Sequence, residues 1–265
     1  MKQVDLNCDL GESFGAYTIG QDEKVLPLIS SANIACGFHG GDPLIMERTV
    51  ALAKEAGVSI GAHPGFPDLI GFGRRNLAVS PKEARAYVQY QVGALKAFCD
   101  AKKVPLSHVK PHGALYNMAG KDPRLAAALC EGVALSAPDC ILLALAGSEM
   151  IKAAKDCGLF VAQEVFADRA YEEDGSLVPR TKPGAMITEE QQAVRQVLTM
   201  VLEGKAVAVT GKEIPLQADS ICVHGDGEKA LLFVKKIRTA LEQAGVEIRP
   251  FFKQRNRTVE KSNRK

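Results

Sequence analysis

The feature that most constrains this chain is a rhythm repeated along its length: a short apolar run, a turn bearing Gly, His or Asp, then a longer helical pattern. Apolar runs at residues 4–8, 32–36, 58–62, 108–110, 141–144, 159–165 and 220–223 are predicted strands, with 246–249 as a last short one. Between them lie helices with readable ends. PLIMERTVALAKEAG after Asp42 starts with Pro43 in a favourable first-turn position and stops at Gly57. Ser80 and Glu83 form a capping box for a helix over 81–103. Further helices are predicted at 123–134, 149–157 and 229–244, and Thr188 is the predicted cap of EEQQAVRQVLTMVLEG. The segment 206–216, with its GKEIP turn, reads as a hairpin-like excursion.

Strands alternating with helices imply a parallel sheet with helices outside. Seven or eight such units, with no Gly-rich dinucleotide fingerprint, fit a single (β/α) barrel better than an open sheet. A length of 265 residues suits one such barrel, and with 46% hydrophobic residues a large core can form. The seven cysteines are scattered and form no CxxC pair, which argues for reduced thiols and against a disulfide framework or zinc–cysteine site. The opening MKQVDLNCDLGE carries acids where a signal peptide needs an apolar run, and no stretch is long enough to span a membrane. A cytoplasmic protein is expected. Residues 253–265 carry six basic residues against Glu260; without them the chain's 33 basic and 31 acidic residues become 27 and 30. The expected organisation is a barrel domain at 1–252 and a solvated, disordered basic tail at 253–265, rather than a nucleic-acid arm.

Polar residues follow the strands in register. Asn7, Asp9 and Glu12 follow the first, His39 and Asp42 the second, and His63 and Asp68 the third. Lys110, His112 and Asn117 follow the fourth, Asp168, Arg169 and Arg180 the strand ending near residue 165, and His224 and Asp226 the late one. In a parallel barrel these ends open on one face, where active sites are built. One histidine near a strand end is as readily a structural residue as a catalyst, but four of five sharing this register indicate a site. His108 alone lies inside its strand and reads as structural. Arg74 and Arg75 add two guanidinium groups suited to carboxylate or phosphate.

The chain lacks a P-loop, HExxH and GxSxG. Two chemistries remain open. One is a divalent-metal hydrolase with Asp9, His39 and His63 as ligands. The other is acid/base catalysis, with Asp226 and His224 relaying protons and Lys110 or an arginine holding an anion. A binding module without catalysis is disfavoured, because the mouth is rich in titratable groups and the chain has no Trp.

The blocks DLNCDLGESFG (5–15), ANIACGFHGGDP (32–43), GAHPGFPDLIGFGRRN (61–76), VKPHGALYN (109–117), FADRAY (166–171), LVPR (177–180) and CVHGDG (222–227) together resemble the LamB/YcsF family. Gly40 stands where that family usually has Ala, and the basic tail lies outside the resemblance. The resemblance implies a seven-stranded, deacetylase-like (β/α) barrel. It also implies the role of the A subunit in a 5-oxoprolinase, converting 5-oxo-L-proline, ATP (with Mg2+) and water to L-glutamate, ADP and phosphate alongside subunits B and C. Asp9, His39, Asp42, His63, His112, His224 and Asp226 are then the expected catalytic residues. Asn7, Glu12, Arg74, Arg75, Lys110, Asn117, Asp168, Arg169 and Arg180 would bind substrate or phosphate. With no P-loop here, the expected division has the partners activating the lactam and this chain completing ring opening. A metal-dependent carbohydrate deacetylase, or another amide hydrolase, is the alternative.

Overall fold

The computed structural model describes residues 2–223 and 228–250. In chain order its strands are β1 (Lys2–Leu10), β2 (Ser31–Ala35), β3 (Ser59–His63), β4 (Leu106–Val109), β5 (Ile141–Leu145), β6 (Phe160–Phe166), β7 (Lys205–Val207), β8 (Glu213–Pro215), β9 (Ser220–Val223) and β10 (Val246–Ile248). The helices are α1 (Asp22–Val25), α2 (Pro43–Glu55), α3 (Pro81–Ala101), α4 (Gly113–Ala119), α5 (Pro123–Ser136), α6 (Glu149–Asp156), α7 (Glu190–Leu198) and α8 (Glu228–Gln243).

Strands β1 to β6 and β9 pair in parallel, and β9 returns to β1 with Asp5 opposite Ser220 and Cys8 opposite Val223. That pairing closes a seven-stranded barrel with helices around it, as the alternating pattern predicts. β10 adds outside the ring, along Lys2 to Val4 of β1. β7 and β8 form the antiparallel hairpin read from 206–216.

Local chemistry explains the helix ends. Asp42 Oδ1 accepts from the amides of Leu44 and Ile45 at the start of α2, ahead of Pro43. The Ser80–Glu83 capping box opens α3 as predicted. At α7 the cap is Glu189, one residue after the expected Thr188, because its carboxylate reaches the amides of Gln191 and Gln192. α4 is a short helix inside the KPHGALYN block that the turn-like composition hid. His224 and Asp226, and the tail from 253, lie outside the described residues.

The barrel interior departs from the branched apolar layers usual in such folds. Alternate residues of a strand share a side, and here Asp5, Asn7 and Asp9 of β1 meet Ser31 and Asn33 of β2, Glu164 of β6 and Ser220 of β9. Leaving one such group unpaired inside would cost about 1–3 kcal/mol, so the polar set must be mutually satisfied for the barrel to close. Asp5 accepts from Ser30 and Ser31 at 2.6 Å each, and from Ser220. Burial nevertheless pushes its carboxyl up to about 6.

Candidate active site

Above this ladder, Lys110 follows the last residue of β4 and points inward, 2% exposed. Its Nζ donates to Asp9 Oδ1 at 2.8 Å and Asn7 Oδ1 at 3.3 Å, and lies 2.9 Å from Glu164 Oε1. Burial pulls the ammonium toward neutrality, but the carboxylates, Asp9 foremost, outweigh it and hold Lys110 well above its ordinary value. Glu164 is itself fixed by Asn7 Nδ2 at 2.9 Å and the Tyr116 hydroxyl at 2.6 Å. Cys222 Sγ sits 3.1 Å from Lys110 Nζ, and burial pushes that thiol well up, so the sulfur is a neutral acceptor rather than a nucleophile.

Three histidines gather beside Asp9. His63 ends β3; its Nδ1 lies 2.7 Å from the Lys110 carbonyl and its Nε2 lies 3.3 Å from Asp9 Oδ2. His112, at the N-cap of α4, places Nδ1 2.9 Å from His63 Nε2 and Nε2 2.7 Å from the Phe72 carbonyl. His39, fully buried, stacks on His112 with ring centroids 3.6 Å apart and meets Glu12 Oε1 at 3.2 Å. Burial, reinforced by the neighbouring histidines, holds His39 and His112 well below the ordinary imidazole value, so both are neutral.

The loop between β3 and α3 closes over these rings. Phe72 has φ 54°, an uncommon conformation for a residue with a side chain, and this aims its carbonyl at His112. Next to it, Gly73 has φ 63°, and a Cβ there would come within 2.8 Å of both His112 and His39. At Gly40 a Cβ would approach the Glu12 carbonyl oxygen to 2.9 Å, so the missing methyl group lets the Glu12 loop pack closely on the loop after β2.

A cleft of about 1260 Å³ opens over the cluster. Asp9, Glu12, His63, Lys110 and His112 line its floor, and Arg74, Arg75, Asn117, Arg169 and Arg180 its walls. These are the expected residues that the fold brings together, from the ends of β1, β3 and β4, from α4 and its cap, and from the loops after β3 and β6. Others are placed differently. His39 lies behind His112, not on the cleft surface. Asp42 does not orient His39: besides capping α2, it accepts from the Gly15 amide at 2.8 Å. Asn7 is buried in the ladder below the floor, and Asp168 is not among the lining residues. Arg75 grips Asp68 with two nitrogens, which fixes the Phe72 loop. Glu164 and Tyr116 were missed; a carboxylate within FVAQEVF was the available signal.

The set of ligand-type groups also differs from Asp9, His39 and His63. Glu12, His39, His63 and His112 bring one ligand atom each to within 4.8 Å of one another and could hold a metal ion. Asp9 stands beside this group: its Oδ1 is engaged by Lys110 and Asn33, and its Oδ2 lies 3.3 Å from His63 Nε2.

A profile of the LamB/YcsF family matches residues 4–256. The chain belongs to the LamB/YcsF family. The match reaches a few residues into the basic tail. Among relatives, the 5-oxoprolinase A subunit of Clostridium beijerinckii is 66% identical over 96% of this chain and 99% of its own length. That of Bacillus subtilis is 54% identical over 97% and 100%. The crystal structure of the lactam utilization protein from Thermus thermophilus superposes with a TM-score of 0.88, at 50% identity over 94% of this chain and all of that one. Among the described residues of this LamB/YcsF member, no helix is long and apolar enough to cross a membrane.

Proposed function

We propose that this chain serves as the A subunit of an ATP-dependent 5-oxoprolinase, opening 5-oxo-L-proline to L-glutamate together with subunits B and C. The observation that carries the reading is the pairing of a charged floor with a cationic wall in one cleft. The names borne by its near-full-length relatives supply the substrate class.

A five-membered lactam is unstrained and resonance-stabilised, so water attacks it slowly. Transfer of the ATP γ-phosphoryl group to the lactam oxygen leaves ADP and an activated O-phosphoryl imidate. Water adds at that carbon and the C–N bond breaks as nitrogen takes a proton, leaving an acyl phosphate; a second water adds at the same carbon, and phosphate departs with the former lactam oxygen. Lys110, held charged by Asp9 and Glu164, stands where negative charge gathers on that oxygen. Asp9 and Glu12 are the acceptors facing the cleft for the proton of the attacking water. Arg74 and Arg180 suit the substrate carboxylate or the polyphosphate.

The expected division has the partners activating the lactam and this chain completing ring opening, and the size of the cleft bears on where the nucleotide sits. The cleft of about 1260 Å³ exceeds the roughly 300–1,000 Å³ of ordinary small-ligand pockets, so it has room for an anionic ligand larger than the lactam beside the cationic wall. The test is an assay in ¹⁸O-water with and without subunits B and C. The reading expects label in the glutamate side-chain carboxylate, none in the phosphate, and dependence on all three subunits. Labelled phosphate would separate ATP hydrolysis from lactam activation and defeat it. The Glu12 and histidine cluster favours the second reading, a metal-dependent amide hydrolase. That reading expects acetate release from N-acetylated sugars without ATP, abolished by chelation.

A further inference from the structure

Two backbone carbonyls dictate where the protons of the histidine pair sit. A carbonyl oxygen only accepts, so His63 Nδ1, 2.7 Å from the Lys110 carbonyl, must carry a hydrogen. By the same logic His112 Nε2, 2.7 Å from the Phe72 carbonyl, must carry one. The remaining ring nitrogens, His63 Nε2 and His112 Nδ1, face each other at 2.9 Å, and Asp9 Oδ2 lies 3.3 Å from His63 Nε2. A carboxylate oxygen joins them from Glu12, 3.6 Å from His112 Nδ1. Electron pairs of imidazole nitrogens and of the Glu12 and Asp9 carboxylates thus converge in a buried place, and they repel unless a positive charge, a proton or a metal ion, lies between them.

His39 accounts for the remaining side of Glu12. Its Nδ1 is buried against Gly65 with no polar partner, which leaves Nε2 as the natural donor to Glu12 Oε1 at 3.2 Å. The carboxylate is therefore oriented by an imidazole N–H, and the two imidazoles by backbone carbonyls. This is the outer layer that fixes metal ligands in proteins, where a ligating histidine donates its other N–H to a carbonyl or carboxylate. The spacing agrees too. Bonds of about 2.1 Å in a tetrahedral site put ligand atoms about 3.4 Å apart, between the two distances found here.

We propose that His63 Nε2, His112 Nδ1 and a Glu12 oxygen bind one divalent cation of the zinc, cobalt or manganese type, with its open position toward the cleft. His39 and the carbonyls of Phe72 and Lys110 hold the ligands. Neutral imidazoles and one carboxylate suit borderline metals better than calcium or magnesium, which favour all-oxygen shells. The proposal does not rest on the 5-oxoprolinase reading, since a metal could serve other amide chemistry in the same cleft.

The test uses the full chain, freed of metal by chelator dialysis and titrated with Co2+ and Zn2+. Expected are one equivalent bound, the visible absorption bands of tetrahedral Co2+, and their loss on adding Zn2+. His63→Gln and His112→Gln should each weaken binding at least about a hundredfold, and His39→Ala about 10- to 100-fold, as removal of an orienting group does. Circular dichroism would check that each variant folds. Imidazole ¹⁵N spectra of the unmutated chain provide a readout free of any variant: zinc should shift the signals of His63 Nε2 and His112 Nδ1. The proposal is overturned if binding is absent at millimolar metal. It is equally overturned if folded His63→Gln and His112→Gln chains bind as before, or if zinc leaves a proton shared between the two rings in place.

Discussion

The floor of the cleft is built on strand ends and its walls on loops, and the two are finished differently. At the floor, Lys110 and Asp9 interlock with Asn7, Asn33 and Glu164 of the ladder beneath at 2.7–3.3 Å. On the wall, Arg74 lies over the Phe72 ring at 5.0 Å and the exposed Arg180 touches Met186 Sδ at 3.4 Å. Arg169 joins the two regimes. Its Nη2 donates to the Val178 carbonyl at 2.6 Å, while its buried Nε has no partner and burial brings the guanidinium down to about 10. A floor with fixed charges needs no rearrangement when charge develops on a substrate. A wall of long cationic side chains can instead adjust to a large anionic ligand. Chemistry belongs to the strands, and recognition to the loops.

The contrast is broken most directly at Lys110. Lys110→Met should leave Asp9 and Glu164 facing each other without their cation, deep in the barrel. Removing one member of a buried ion pair destabilises by about 3–5 kcal/mol, enough to lower Tm by roughly 10 °C in a chain of this size. Turnover in the reconstituted complex should fall by about a thousandfold or more. Adding Glu164→Gln to Lys110→Met should restore much of the stability and none of the activity. Arg180→Ala on the wall should leave Tm unchanged. A Lys110→Met protein as stable as its parent would show that the floor is not the interlocked unit described.

A smaller effect is expected at His39, where the floor meets its support. A proton-transferring group would contribute about 10²–10⁴ in rate. His39 lies behind His112 and off the cleft, so it acts through Glu12 and His112 as a positioning residue. His39→Ala should lower kcat by about 10- to 100-fold with KM little changed. His39→Gln, whose amide can still donate to Glu12, should recover most of that loss. A changed shape of the pH–rate profile in His39→Ala would return it to the proton-transfer role.

These cases show what the sequence makes legible. Parallel strands, capped helices and a barrel were readable because each rests on local rules: an apolar run, a Pro in the first turn, a Ser–Glu box. The register of His63, Lys110 and His112 was readable because strand ends share a face. Glu164 was not, because a strand buried on both sides hides its inward residue among apolar neighbours, and its partners come from β1, the residue after β4, and α4. The Phe72 carbonyl was not, because a backbone acceptor has no sequence signature. His39 and Asp42 share a Gly-rich loop, and nothing local says that one turns inward behind a ring while the other caps a helix.

The smallest effect is expected at Asp42, on the rim. Its Oδ1 satisfies the Leu44 and Ile45 amides and its Oδ2 holds Gly15, and backbone donors, Ile45 first and then Gly15, keep its carboxyl below the ordinary value. A depressed carboxylate contributes stability that is present above the unfolded value and fades as pH falls through the folded one. Asp42→Ala should therefore cost about 1 kcal/mol near neutral pH, as the loss of a helix cap does, with the difference from the parent shrinking below about pH 4. Asp42→Asn keeps a good capping oxygen and should stay within a few tenths of a kcal/mol at neutral pH. Turnover in both should remain within about twofold of the parent, since neither substitution reaches the cleft floor. A carboxylate with a chemical role gives the opposite pattern, with Asp42→Asn as inactive as Asp42→Ala while both melt normally. Thermal unfolding against pH, set beside turnover for the same two variants, separates a cap from a catalyst.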